Sequence, residues 1–409
     1  MNVPRSATSG LDPRTHGLVE EARALQPRTV ALRRSLHRRP ELGLRVPDTQ
    51  KAVLHALENL PLRISTGKDC DSVVAVLEGG KRGPNALLRA DMDGLPMTEA
   101  TGLQYSSEID GAMHACGHDT HTAMLTSAAR LLCDRRGALA GKVVFMFQPG
   151  EEGFYGARTM IEEGVLDAAG ARVHSAFALH ITPGLRSGML VSKAGPIMAG
   201  ADTFSVRVRG RGGHASVPHT ACDPVPVAAE IVGALQSMIT RRVSVFEPAV
   251  LTVGRISAGT TDNVIPETAL MEGTIRSLSE TSRATVHTEL RRVCEHVARA
   301  HDAGAEVSIA PGYPVTVNEE TLGLRSVALA NEVLGAKHGE LMPSPLMSSE
   351  DFSYVAALVP AAMSFLGACP PGIELGKAPG NHSNRALFDE SALACGVAMY
   401  AAFALDSLR

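Results

Sequence analysis

Residues 142–153 read KVVFMFQPGEEG, an apolar run closed by Pro149, Gly150 and two adjacent acids, Glu151 and Glu152. A short run rich in Val and Phe, bounded by Pro and Gly, reads as a buried strand. Two carboxylates at the end of such a strand would repel each other and lose hydration unless something positive lay beside them. A metal site answers that need. Candidate ligands are spread along the chain: Cys116 and His118 in CGH, His180 closing SAFALH, and His382 in NHSN.

Working outward from that strand, short apolar runs alternate with helical stretches between about Leu18 and Ala194: VVAVLE, ALLRAD, the helix after His118, KVVFMFQ and SAFALH. This alternation predicts an α/β domain whose sheet is mostly parallel and sandwiched by helices. In such sheets ligands bind beyond the carboxyl ends of the strands. Asp91 and Asp93 follow ALLRA, Glu151 and Glu152 follow KVVFMFQ, His180 ends SAFALH, and His382 comes after the last apolar strand, AAMSFLGA.

A different order fills the middle: strand DTFSVRVRG, helix Val225 to Arg242, strands AVLTVGRIS and ETALMEGTIR, helix Glu280 to His301, and strand AEVSIA. That β-α-β-β-α-β order predicts a ferredoxin-like sheet with helices on one face. Pro and Gly mark both junctions, GPIMAG and PGYP. The expected organisation is therefore a discontinuous catalytic domain, residues 1–195 and 311–409, interrupted by a smaller domain over residues 196–310.

The whole chain bounds the function. Its 409 residues are 44% hydrophobic and 20% charged, with a net charge of -4, so no global basic field exists for nucleic acid. No run of about 18 apolar residues is present to span a membrane. The first twenty residues lack the apolar core of a secretory signal. Seven widely spaced cysteines without a C-x-x-C pair suit reduced thiols in a cytoplasm. The segment before His16 is expected to be a frayed tail.

Cys116 and His118 stand two apart, a spacing that separates them on a helix, so a turn must present them, with Gly117 supplying its flexibility. Asp119 or Thr120 suits the N-cap of an amphipathic helix carrying Met124, Leu125, Ala128, Leu131 and Leu132. The helix dipole would favour a Cys116 thiolate. His114, His118 and His121 cluster too closely for all to be ligands, whereas His37, His55, His287, His296 and His301 read as satisfied or solvated. Glu151 and Glu152 can divide labour, one binding metal while the other moves protons. A Cys/His/Glu/His/His set carries two negative charges against four from two divalent ions, and five ligands exceed the needs of one zinc.

The stretches RADMDGLP, MHACGHDTH, FQPGEEG, ALH, GRGGHASVPH, TTDNVIPE, SSEDFSY and NHSNRALFDE, in that order, resemble the aminoacylase and hippurate-hydrolase branch of the dinuclear metal amidohydrolase/peptidase family. The resemblance runs from about Leu36 to Leu393. It implies metal ligands Cys116, His118, Glu152, His180 and His382 for two divalent ions (Zn, Mn, Co or Ni), with Glu151 as general base. Asp93 would orient a ligand histidine, and Asp91 stands where related branches carry a histidine ligand. The inserted domain is implied to be a lid that dimerises, giving a homodimer or a tetramer. His219 and Asn263 would polarise the scissile carbonyl, and Arg276 would clamp the substrate carboxylate. His214, five residues before His219, competes for its role. NHSNRALFDE departs from the RFDFDE-like pattern expected after the histidine.

The implied activity is hydrolysis of N-acyl amino acids or similar small amides. Alternatives with the same chemistry are a dipeptidase or carboxypeptidase and a deacetylase of acetylated diaminopimelate. The rival from another class is a non-catalytic binding protein of the same fold, which would have no use for Glu151. With no Trp and 4% aromatic residues, a stacking acyl pocket is disfavoured.

Overall fold

The computed structural model describes residues 14–408. The tail expected before His16 falls largely on residues 1–13, outside the described residues. The chain divides into two compact units.

The first unit comprises residues up to Gly195, Val317–Pro343 and Tyr354 onward. At its centre is an eight-stranded sheet in the order 62–66, 73–78, 140–148, 81–91, 175–182, 361–367, 190–192, 339–341. The four central strands, Ala140–Gln148, Lys81–Asp91, Ser175–Thr182 and Ala361–Gly367, run parallel. Antiparallel pairings are confined to the flanks. In the strand 140–148, Val143 to Phe147 are all 0% exposed. Both faces are therefore covered, which is why this sequence shows continuous hydrophobicity rather than alternation. Burying each such Val or Phe stabilises the fold by about 1.5–3 kcal/mol.

The helices Leu18–Arg38, His118–Asp134 and Leu393–Ser407 share the core with this sheet. The helix His118–Asp134 differs from expectation, since nearly all of its residues are buried and it has no solvent stripe. Its start differs as well. The N-cap is Gly117, in a left-handed conformation at φ 87°, while Thr120 Oγ1 donates back to the Gly117 carbonyl and Asp119 is turned into a buried ion pair with Arg33. Neither Asp119 nor Thr120 is the cap because the chain must reverse before His118 to present Cys116.

The second unit comprises Pro196–Thr316 with Ser344–Ser353. Its sheet follows the order 249–258, 268–277, 200–209, 304–311, antiparallel throughout. Helices Pro224–Arg242 and Glu280–Ala300 supply Val227, Ile231, Leu235, Val286 and Leu290 to a core with Phe204, Val206 and Val208. Asp223 and Ser279 cap the two helices by accepting from Val225 N and Ser282 N. This is the β-α-β-β-α-β order in its ferredoxin-like arrangement.

The expected boundary assigned all of 311–409 to the first unit. Residues 311–316 and 344–353 instead group with the second, and the 344–353 segment does so through backbone pairing. Ala199 N donates to the carbonyls of Leu346 and Ser348, and Leu346 N donates to Ile197 O.

Candidate metal centre

Three neighbouring parallel strands end where the candidate ligands gather. Past the strand 81–91, Asp93 is 1% exposed, and its two carboxylate oxygens accept from Glu151 N at 3.0 Å and Glu152 N at 3.1 Å. The turn after the neighbouring strand is thus held by the Asp93 carboxylate. Asp93 Oδ1 also lies 3.4 Å from His118 Nδ1.

The potential ligand atoms fall into overlapping groups. Cys116, His118 and His180 form one, Cys116, Glu152 and His382 a second, and His118, Glu151 and Glu152 a third, with the atoms of each group within 4.8 Å of one another. Cys116 Sγ is 3.3 Å from His180 Nε2, and His382 Nε2 is 3.1 Å from Glu152 Oε1. Both ring nitrogens of His118 are buried without a hydrogen-bond partner, Asp93 Oδ1 lying 3.4 Å from Nδ1 and Asp91 Oδ2 3.6 Å from Nε2. A buried polar atom left in that state costs about 1–3 kcal/mol. Orphaned ring nitrogens beside a carboxylate and a thiol form a donor set that fits divalent cations.

Hydrogen bonds sort the histidines. His180 Nδ1 donates to the Ile181 carbonyl at 2.8 Å, which leaves Nε2 as a lone pair directed at the cluster. His121 Nε2 accepts from Ile181 N at 2.7 Å, so its proton sits on Nδ1, which donates to Asp91 at 2.5 Å. With both nitrogens engaged, His121 is a structural residue despite its proximity. Asp91 also accepts from the buried Arg89 at 2.7 Å and stands 3.6 Å from His118 Nε2. Arg89 and His121 thus occupy the Asp91 carboxylate, at the position where related branches place a histidine ligand. His37 is satisfied by Asp119 at 2.8 Å and Glu99 at 3.3 Å.

The electrostatics follow from burial and pairing. Burial pushes the Cys116 thiol up, outweighing the downward pull of His118 and His382. Burial also drives His180 down to about 3. For His118 the downward push of burial is outweighed by Asp91, Cys116 and Asp93, which hold it well above the usual imidazole range. Hydrogen bonding with Cys116 and Glu152 lifts His382 to about 10. Burial pushes Glu152 up, but His382 and His118 outweigh it and lower its pKa.

The family model described as Peptidase family M20/M25/M40 matches residues 87–406. The chain belongs to that family. Its sequence is 38% identical over 347 residues to the N-acetylcysteine deacetylase of Bacillus subtilis (strain 168), covering 84% of this chain and 89% of the relative. It is 34% identical over 392 residues to thermostable carboxypeptidase 1 of Saccharolobus solfataricus, covering 95% and 97%. A solved structure from Bacillus subtilis, described as a dinuclear metal binding peptidase from the M20 family, superposes with a TM-score of 0.81 at 33% identity over 94% of this chain and 99% of that one.

Within this M20-family chain, the remaining sequence-predicted residues lie in the second unit. Asn263 O accepts from Ala215 N at 3.1 Å. His214 Nδ1 is engaged by Ser216, through N at 3.1 Å and Oγ at 2.7 Å, whereas the exposed His219 ring has no hydrogen-bond partner among the described residues. Arg276 is half-buried and donates to Ser349 Oγ at 3.1 Å. Its strand therefore carries it against the 344–353 segment rather than on a solvated face. Ser349, Arg89 and Asn381 were missed in the sequence. SSEDFSY, RADMDGLP and NHSN contained them, but the partners of Ser349 and Asn381, and the Gln148 partner of Arg89, are far away in sequence. After the departure from the RFDFDE-like pattern, Phe388 is still buried at 6% exposure and Asp389 caps the turn that follows.

Proposed function

We propose that this M20-family chain is a metal-dependent amidohydrolase that cleaves N-acyl amino acids to a carboxylate and a free amino acid. Two divalent cations per subunit would be held by Cys116, His118, Glu152, His180 and His382. The observation that carries this reading is the meeting of these five side chains beside the buried Glu151, with both ring nitrogens of His118 buried and without a hydrogen bond. When bound, such cations polarise the amide carbonyl and make water a nucleophile near neutral pH. Cys116 favours softer ions such as Zn²⁺, while the histidines and Glu152 also accept Mn²⁺, Co²⁺ or Ni²⁺.

Glu151 takes the proton of the attacking water and delivers it to the leaving nitrogen. Asp93 fixes the backbone of Glu151 and Glu152 together, so base and ligand keep a common register. His219 and Asn263 are assigned to the developing oxyanion and Arg276 to the substrate carboxylate. In favour of His219 over His214 is the engagement of the latter by Ser216. The second unit is assigned the role of a lid through which the chain forms a homodimer, or a tetramer of such pairs. Val245 at 79% and Phe246 at 92% exposure, beside the free edge strand 249–258, support that assignment. Residence in the cytoplasm is supported by the seven cysteines, all free.

Glu151→Gln is expected to lower turnover roughly 100 to 10,000-fold while leaving metal content unchanged. Full activity in that variant would end the assignment. A second reading, cleavage of peptides from their carboxyl end, is favoured by the carboxypeptidase relative. Parallel assay of N-acetyl, N-benzoyl and dipeptide substrates separates the two.

A further inference from the structure

His382 is the exception among the five proposed ligands. Its side chain is 54% exposed, whereas those of His118 and Glu152 are 0% and 12% exposed. It also adopts a left-handed backbone, φ 66°, which is uncommon for a non-glycine residue. The neighbouring residue ties this loop down. The Asn381 amide nitrogen donates to the carbonyls of Cys116 and Ile181, each at 3.0 Å, and His382 N donates to Ala115 O at 3.1 Å.

A primary amide offers two donors on one planar nitrogen. Here both are taken by carbonyls from the two segments that carry Cys116 and His180. The opposite orientation of the amide would set its oxygen against those carbonyl oxygens, so the contacts themselves fix which atom is nitrogen. On the other side of the loop, Ala100 N donates to Asn384 O at 2.8 Å, so the segment stays tethered without Asn381.

We propose that Asn381 is the positioning residue of the centre, setting His382 against Cys116 and His180 and thereby determining how tightly the second cation is held. The inference rests on the dinuclear reading given above. It assigns to Asn381 no contact with substrate or cation. Partners of this kind, one step removed from the ligands, change metal affinity about 10 to 100-fold when removed.

The test is titration of the full chain with Co²⁺, followed by visible absorption and by competition with a chelator, for the wild type, Asn381→Leu, His382→Ala and the double variant. In Asn381→Leu the tighter cation is expected to bind within about 2-fold of wild type, and the weaker one about 10 to 100-fold less tightly, with an altered cobalt spectrum. In the His382→Ala background the Asn381 change is expected to have no further effect, an outcome that a merely structural role would not produce. Asn381→Ser, which retains a single donor, gives an intermediate loss and serves if the Leu variant does not fold. Wild-type affinity for both ions in Asn381→Leu, or an equal loss with and without His382, overturns the proposal. A wild type that takes up fewer than two cobalt ions overturns the dinuclear reading, and this inference with it. Uptake of two ions by wild type and variant alike, with the same two affinities, overturns the role of Asn381 alone.

Discussion

Asp93 is the residue whose removal has the most calculable effect. Its two oxygens accept from Glu151 N and Glu152 N at 3.0 and 3.1 Å, and its side chain is buried. Asp93→Asn preserves the shape but leaves one acceptor oxygen, so one of the two amide protons then faces an NH₂ group. A hydrogen bond to a charged group contributes about 1.5–3 kcal/mol, and stranding a buried donor costs a further 1–3 kcal/mol. Screening at the partly buried Glu152 end reduces the total, and a loss of about 2–4 kcal/mol is expected. Urea unfolding of wild type and variant, both in chelator, measures it. Hydrogen exchange of a peptide spanning 147–154 reports whether the two amides lose protection. A change below about 0.5 kcal/mol, the scale of an inconsequential surface substitution, together with unaltered exchange, would refute the reasoning.

Gly117→Ala places a Cβ 2.4 Å from Ile181 Cγ2 at a backbone angle of φ +87°. Left-handed strain of about 1–2 kcal/mol and overpacking of about 1–3 kcal/mol together predict a loss of roughly 2–5 kcal/mol, read by thermal or denaturant unfolding. Glu99 concerns acid stability. Burial raises its pKa, but hydrogen bonds from His37, Ser107 N and Thr101 outweigh it and hold the carboxyl at about 2. Because the folded value lies below the unfolded one of about 4.3, its contribution is complete above that value and is lost as pH falls toward 2. The stability gap between wild type and Glu99→Gln is expected to narrow between about pH 5 and pH 2; parallel curves across that window would contradict the assignment.

What could be read in advance was whatever depends on local pattern. KVVFMFQ announced a buried strand, because an unbroken apolar run reports burial directly, and the β-α-β-β-α-β order announced a sheet with helices on one face. The acids after one strand and the histidine closing another pointed to a common edge. The N-terminus of the helix after Gly117 was misplaced because the rule for Asp and Thr caps assumes a free helix end, whereas here the first turn is buried and its polar groups have tertiary partners. His121 was indistinguishable from a ligand until the Ile181 N–H fixed its proton. Asn381 and Ser349 were invisible for a related reason: an amide or hydroxyl in a loop has no periodicity, and its role is defined only by carbonyls and guanidinium groups far away in sequence. The boundary near 344 moved because backbone pairing with 197–199 outweighs continuity along the chain.

The sheet order carries a consequence for biosynthesis. Cys116, Glu152 and His180 belong to segments that can meet once the strands 81–91, 140–148 and 175–182 have zipped together, but His382 follows the strand 361–367, laid against them by a much later stretch of polypeptide. A nascent chain that has not yet emerged beyond the strand 361–367 can bring together only the Cys116, Glu152 and His180 segments of the proposed cation-binding cluster. On the proposed assignment, the full ligand set would form only after His382 has been made and laid against the others.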